Sequence, residues 1–155
     1  MAQNFFVDEL EISSPAFDDH GRIPDKHTSN GENISPALEW TGVPEGTVAF
    51  AVVVHDPDAP LVDGWTHWVA YGIPGDATGL PEGAADLVEG PHTGGEDGYS
   101  GPAPPPGHGK HHYYFWVYAL NEEPDLEPGL SRRELLEAIE DSVIEQARVI
   151  GTYDN

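Results

Sequence analysis

The chain has 155 residues, 28 of them acidic and 6 basic, for a formal net charge of −22. A field of that sign repels nucleic-acid phosphates and excludes DNA and RNA as partners. The absence of cysteine excludes disulfides, thiol chemistry and cysteine-ligated zinc. The length allows one well-buried core, so we expect a single domain over residues 1–155.

The same composition bears on location and habitat. No window approaches the ~18 consecutive apolar residues of a membrane span, and the first ten residues lack the basic stretch of a signal peptide. We therefore expect a cytoplasmic protein without a membrane span. The acids are scattered among 4 Trp, 6 Tyr and 5 Phe, which indicates a folded chain and not an acidic disordered tail. We interpret the acidic surface as halophilic, because a Debye length of ~3 Å in ~1 M salt screens the repulsion.

Short apolar runs separated by turn residues dominate the chain. Glycine and proline, 18 and 15 residues, are spread throughout and predict a β-rich domain with many turns. Residues 5–12 alternate weakly and predict an opening strand. The run VAFAVVVH at residues 48–55 predicts a central strand buried on both faces. Residues 66–73 (THWVAYGI) and 111–120 (HHYYFWVYAL) predict two more strands, the last rich in aromatic residues that suit a pleated sheet.

Two proline-rich stretches adjoin these strands. DPDAP at residues 56–60 follows the run 48–55, and we expect a cis peptide bond between Ala59 and Pro60, since cis before proline costs only ~0.5–1 kcal/mol. GPAPPPG at residues 101–107 lies in a long irregular stretch, 75–110, and cannot join a sheet interior. It fits a rigid pocket wall, with a stiff linker or a polyproline ligand for another domain as the alternative.

One helix is predicted near the C-terminus. Ser131 followed by Glu134 forms a capping box. Apolar residues then recur at helical spacing and predict a helix that ends at Gly151. These residues are Leu135, Leu136, Ile139, Val143, Ala147 and Ile150.

Four polar side chains are candidates for a pocket. Strand alternation places His111 and Tyr113 on one face of the third predicted strand. Asp56 follows the first strand and His67 lies between Thr66 and Trp68 on the second, so all four can converge if the three strands are neighbours. Taken singly, each has a structural explanation, because a strand histidine is commonly a hydrogen-bonded sheet residue and an aspartate before proline commonly makes a turn. Their occurrence beside two rigid loops favours a binding pocket.

The remaining candidates for chemistry are weaker. Two histidines and an aspartate also form the facial triad of non-haem iron, but Asp56, His67 and His111 lack close metal-motif spacing among themselves. No nucleophile-elbow, nucleotide-binding or P-loop motif occurs. We therefore expect no metal, no cofactor and no enzymatic activity, with a metal-dependent or hydrolytic enzyme as the alternative. Five histidines have no such partners and are expected to be structural or exposed: His20, His27, His55, His92 and His108.

Longer motifs resemble those of the phosphatidylethanolamine-binding protein family. SPALEW at residues 35–40, PEGT at 44–47 and DPDAP at 56–60 are similar to its first signature. YSGP at 99–102, PP at 104–105 and HHY at 111–113 are similar to its second. GWTHW at 64–68, GIP at 72–74 and ARVIGTY at 147–153 resemble the bacterial and archaeal branch, described as Raf-kinase-inhibitor-like.

The resemblance implies a mainly β fold, an antiparallel two-sheet β-sandwich with a C-terminal helix. It also implies a pocket for phosphate-like or carboxylate anions. The ligand-binding residues that it implies are Asp56, His67, Gly101, Pro104, His111 and Tyr113. Two further residues would shape the adjoining loop, Asp58 and Pro60.

The expected function is a non-enzymatic module for a small anion, either a phosphate, a phosphorylated head group or a carboxylate. The family also implies protein partners, so a protease- or kinase-inhibitor type of interaction protein is the alternative, and a homodimer is compatible with it. We expect Tyr113, the two histidines and backbone N–H groups near Gly101 to donate to the ligand. Because Asp56 favours a charged histidine, we expect His67 and His111 to charge and anion affinity to rise from about pH 8 to about pH 6.

Overall fold

The computed structural model describes residues 9–155 and consists mainly of β-strands. Residues 5–8 of the predicted opening strand lie outside the described residues. The strands are β1 (Glu11–Ser13), β2 (Gly21–Arg22), β3 (Leu38–Thr41), β4 (Ala49–Asp56), β5 (Trp65–Pro74), β6 (Gly79–Leu80), β7 (Val88–Gly90), β8 (His111–Leu120) and β9 (Val143–Tyr153). A short 3₁₀ turn spans Asp25–His27, and helix α1 spans Arg132–Ile139.

The strands form two sheets. The larger has six strands in the order β2-β9-β8-β4-β5-β7, and the smaller has three in the order β1-β3-β6. All pairs are antiparallel except β2 with β9. The mainly β, two-sheet fold with a helix near the C-terminus is therefore confirmed. The three strands predicted from apolar runs, β4, β5 and β8, are neighbours in the larger sheet.

Strand β4 is buried along its whole length, as its continuous apolar run predicts. Phe50, Val52 and Val54 pack into a core cluster with residues of the smaller sheet. The alternate residues, including Ala51 and Val53, pack on the other face beneath helix α1. A fully buried Val or Phe side chain contributes about 1.5–3 kcal/mol to folding stability. Burial on both faces therefore holds this strand in place.

The predicted helix is wrong beyond Ile139. The capping box is present, since the Glu134 N–H donates to Ser131 Oγ at 3.2 Å and Glu134 Oε1 accepts from the Ser131 N–H at 3.0 Å. However, residues that were assigned to the helix form β9, which pairs with β8 over nearly its whole length. Val143 and Ile150 are β-branched, and pairing with a buried neighbour outweighs their helix-compatible spacing. The helix therefore precedes the final strand.

The register of the larger sheet positions the site. Asp56 ends β4 opposite Trp65, which begins β5. On the other side β4 runs antiparallel to β8, whose first residue is His111. The end of β4 and the starts of β5 and β8 therefore meet at one edge of the sheet. In the part of the chain from 9 to 155, no helix has the length and apolar character needed to cross a membrane.

Candidate functional site

A cavity of about 310 Å³ opens where β4 ends and β5 and β8 begin. All four residues that the sequence predicts for the pocket line it, together with residues of both proline-rich loops. The lining residues are Asp56, Ala59, Pro60, Trp65, His67, Ser100, Gly101, Ala103, Pro104, Pro105, His111 and Tyr113. Asp58 is not among them.

Asp56 and His111 form a buried pair in the cavity wall. Asp56 Oδ2 accepts from His111 Nδ1 at 2.7 Å, and the two side chains are 3% and 5% exposed. Asp56 Oδ1 accepts the backbone N–H of Asp58 at 2.7 Å, which closes the turn after β4. Burial raises the pKa of Asp56, although the hydrogen bonds from His111 and Asp58 lower it in part. The pair therefore fixes the orientation of both side chains.

His67 is buried without a carboxylate partner. Its Nδ1 lies 2.6 Å from the carbonyl oxygen of Ser100. A carbonyl only accepts, so Nδ1 carries the proton. Nε2 is buried and has no hydrogen-bond partner among the described residues. Burial lowers the pKa of His67 to about 4, so the expectation that this histidine charges between about pH 8 and about pH 6 is wrong.

Tyr113 lies between the two histidines. Its ring centroid is 5.1 Å from that of His67 and 6.3 Å from that of His111. The side chain is 1% exposed, and burial raises the pKa of Tyr113 above its ordinary value. The hydroxyl therefore stays protonated and remains a hydrogen-bond donor in the cavity.

Gly101 contributes space, and its N–H is already engaged. The N–H donates to Asn33 Oδ1 at 2.7 Å, and the N–H of Ser100 donates to the carbonyl of His67 at 2.9 Å. These two backbone donors, expected to serve a ligand, are therefore occupied. A Cβ at Gly101 would lie 2.1 Å from the carbonyl oxygen of His27. This close approach requires glycine.

Both proline-rich loops form the cavity rim. Pro60 and Pro104 line the cavity, and Asp58 Oδ2 accepts from the backbone N–H and Nδ1 of His112, both at 2.8 Å, which ties the first loop to β8. The expected cis bond between Ala59 and Pro60 is wrong, because the bond is trans. The Leu61 N–H donates to the Ala59 carbonyl at 2.7 Å, so a tight turn centred on Pro60 reverses the chain with a trans bond.

Sequence reasoning missed His108. Its Nδ1 lies 2.6 Å from Nε2 of His111, the ring nitrogen opposite the one that meets Asp56. His108 lies between Gly107 and Gly109, which both have positive φ, so the loop turns back over β8. The spacing His108-x-x-His111 was the available signal, but strand alternation gives no information about a side chain on a loop.

A metal centre finds no support in this geometry. In the chain from residue 9 onward, no three His, Asp or Glu side chains are arranged to hold a metal ion. Asp56 and His111 bond to each other at 2.7 Å, and Nδ1 of His67 is engaged by the Ser100 carbonyl. The facial triad considered from the sequence is therefore not assembled among the described residues.

Comparisons with known proteins give a consistent answer. The family model described as phosphatidylethanolamine-binding protein matches residues 13–154. A UPF0098 protein of Methanothermobacter thermautotrophicus is 46% identical over 151 residues, covering 93% of this chain and 98% of that protein. A UPF0098 protein of Pyrococcus horikoshii is 40% identical over 154 residues, covering 94% of this chain and 76% of that protein.

Two solved structures are similar throughout. The crystal structure of a phosphatidylethanolamine-binding protein homologue from Chlamydia trachomatis has a TM-score of 0.89 and 38% identity, covering 94% of this chain and 97% of that chain. Escherichia coli YbcL, described as a member of the mammalian family, has a TM-score of 0.90 and 33% identity, covering 96% of this chain and 99% of that chain. This chain belongs to the phosphatidylethanolamine-binding protein family.

Proposed function

We propose that this protein is a non-enzymatic module that binds a small anion, a phosphate, phosphorylated head group or carboxylate, in the cavity. The observation that carries the proposal is the Nε2 of His67, which is buried without a hydrogen-bond partner among the described residues in a side chain that lines the cavity. A buried polar atom without a hydrogen bond costs free energy. A ligand atom in the cavity is the natural partner.

The size and lining of the cavity support a small polar ligand. A volume of about 310 Å³ is at the lower end of the range for small-molecule sites, so it suits a head group better than a whole lipid. The Tyr113 hydroxyl supplies a donor for an anion oxygen. The negative charge of Asp56 is directed at His111 through their hydrogen bond, which reduces its repulsion of an anion.

The arrangement around His111 supports binding more than catalysis. A hydrolytic triad places a hydroxyl or thiol against the second nitrogen of a carboxylate-held histidine. In this protein the second nitrogen of His111, Nε2, contacts Nδ1 of His108 instead. Ser100 lines the cavity, but its described role is to accept from His67 through its carbonyl. Elemental analysis of purified protein tests the remaining enzymatic alternative, since stoichiometric iron or zinc would contradict this proposal.

Isothermal titration with phosphoethanolamine in about 1 M KCl, where the long-range repulsion is screened, tests the binding itself. We expect saturable binding that Tyr113→Phe weakens by ~0.5–1.5 kcal/mol, the value of one hydrogen bond. Tyr114→Phe is the matched control, because Tyr114 follows on the same strand but points to the opposite face. Binding that is absent, or that both variants weaken equally, would place the anion site elsewhere.

A further inference from the structure

The free nitrogen of His67 is a hydrogen-bond acceptor. Its Nδ1–H is committed to the Ser100 carbonyl at 2.6 Å. A neutral imidazole with one nitrogen protonated presents a lone pair on the other. Nε2 therefore carries a lone pair that is buried without a donor among the described residues, in a side chain that lines the cavity.

The surroundings of His67 keep the ring neutral. Titratable groups face it from β4, from β8 and from the segment after β7. They are His55, Asp56, His92, His111 and Tyr113. The carboxylate in this set, Asp56, is bonded to His111. Burial, with smaller contributions from His55 and His92, lowers the pKa of His67 to about 4.

We infer that the cavity selects acids that still carry a proton, such as the monoanion of a phosphate monoester, because His67 Nε2 accepts a hydrogen bond from the ligand's own hydroxyl. The inference rests on the proposed function above. A monoprotonated phosphate has both an O–H for Nε2 and bare oxygens for the Tyr113 hydroxyl. A fully ionised phosphate group or a sulfate ester group has no O–H to give, so one of its oxygens would meet the lone pair of Nε2 without a hydrogen bond between them.

Selectivity of this kind has a characteristic pH dependence. The second pKa of a phosphate monoester is about 6, so the proton that His67 requires is lost as the pH rises above that value. Each further pH unit lowers the monoanion fraction roughly tenfold and lowers the apparent affinity by the same factor. A sulfate ester does not titrate in this range. Its affinity therefore reports only titration of the protein.

The experiment compares methyl phosphate with methyl sulfate, two esters without an ammonium group that could itself donate to Nε2, on the full chain by isothermal titration. Measurements run from about pH 5.5 to about pH 8 in about 1 M KCl. We expect methyl sulfate to bind at least about tenfold more weakly at the acid end, the value of one hydrogen bond to a charged group. We also expect the ratio of the two affinities to shrink as pH rises. His67→Gln, whose amide can donate as well as accept, should reduce the ratio.

The outcomes separate this inference from the proposed function. Equal binding of the two probes at all pH values, or a ratio that grows with pH, would overturn the inference while leaving an anion site in place. Failure of both probes to bind would overturn the proposed function and the inference together. The comparison of two probes on the wild-type protein decides the question even if His67→Gln does not fold.

Discussion

Two carboxylate–histidine pairs lie side by side at the end of the large sheet and differ most in burial. Asp56 and His111 meet at 2.7 Å with side chains 3% and 5% exposed. Asp58 and His112 meet at 2.8 Å with both side chains 42% exposed. Asp56 ends β4 and Asp58 lies in the turn that follows, and each pair joins this region to the start of β8. Strand alternation on β8 directs His111 into the cavity and His112 toward solvent.

The two carboxyl groups respond to their histidines in opposite ways. Burial raises the pKa of Asp56 and outweighs the hydrogen bonds that lower it. Burial also acts to raise the pKa of Asp58, but there the hydrogen bonds from His112 outweigh it and the pKa is lowered. A hydrogen-bonded partner therefore does not by itself determine the protonation of a group. The degree of desolvation decides which effect wins.

The largest expected effect is on stability, from removing one carboxylate of each pair. Asp56→Ala leaves the buried Nδ1 of His111 without its acceptor, and we expect the free energy of unfolding to fall by about 1–3 kcal/mol for this N–H alone. The backbone N–H of Asp58, which Asp56 also accepts, adds a further loss. Asp58→Ala removes the exposed partner of His112 and should cost under about 1 kcal/mol. Urea unfolding of both variants at neutral pH measures the difference. Equal losses would show that burial is not what separates the pairs.

A third histidine, with no carboxylate, extends the comparison to pH. Burial lowers the pKa of His67 to about 4, whereas the unfolded chain has the ordinary value of about 6.5. Between these two pH values the unfolded state binds more protons than the folded state. The contribution of His67 to the free energy of unfolding is therefore complete above about pH 6.5 and is lost as the pH falls toward about 4. At about 1.4 kcal/mol per pH unit it amounts to roughly 3 kcal/mol.

The measurement is the free energy of unfolding against pH for the wild type and for His67→Gln. We expect the free energy of unfolding of His67→Gln to fall less steeply than that of the wild type as the pH drops from about 6.5 to about 4, because the variant lacks the group that charges on unfolding. His20→Asn is the control, because His20 is 60% exposed and has positive φ, a conformation that asparagine tolerates. If His67→Gln retains the full slope, then His67 is not the group that charges on unfolding.

The sequence predicted the parts of this molecule that depend on local pattern. Continuous apolar runs identify β4, β5 and β8, and their alternation places Asp56 and His111 at a common edge. The strand β9 was missed because its apolar spacing also fits a helix, and only pairing with β8 decides between the two. The fixed tautomer of His67 was missed because it depends on a backbone carbonyl, that of Ser100, contributed by a distant loop.

Salt should act on the exposed pair and on the whole chain with opposite signs. Attraction between Asp58 and His112 is accessible to counterions, so its coupling energy, under about 1 kcal/mol in low salt, should shrink between about 0.1 M and 1 M salt. The net charge of −22 produces repulsion that the same salt screens, so the melting temperature of the whole chain should rise. A double-mutant cycle at two salt concentrations measures both. A melting temperature that is flat or falls with salt would contradict the halophilic interpretation.

The smallest expected effect comes from His108, which distinguishes the buried pair from the exposed one by adding a third member. Nδ1 of His108 lies 2.6 Å from Nε2 of His111. A ligand that binds Nε2 of His111 must therefore displace His108. His108→Ala should therefore tighten phosphoethanolamine binding by about two- to threefold, a fraction of one hydrogen bond.

Because His108 lies on an exposed loop between two glycines, the free energy of unfolding of His108→Ala should change by no more than about 0.5 kcal/mol. His20→Asn should leave affinity unchanged, because His20 is not among the cavity-lining residues. Weaker binding in His108→Ala would instead identify His108 as a ligand contact that closes over the cavity and not as a competitor for His111.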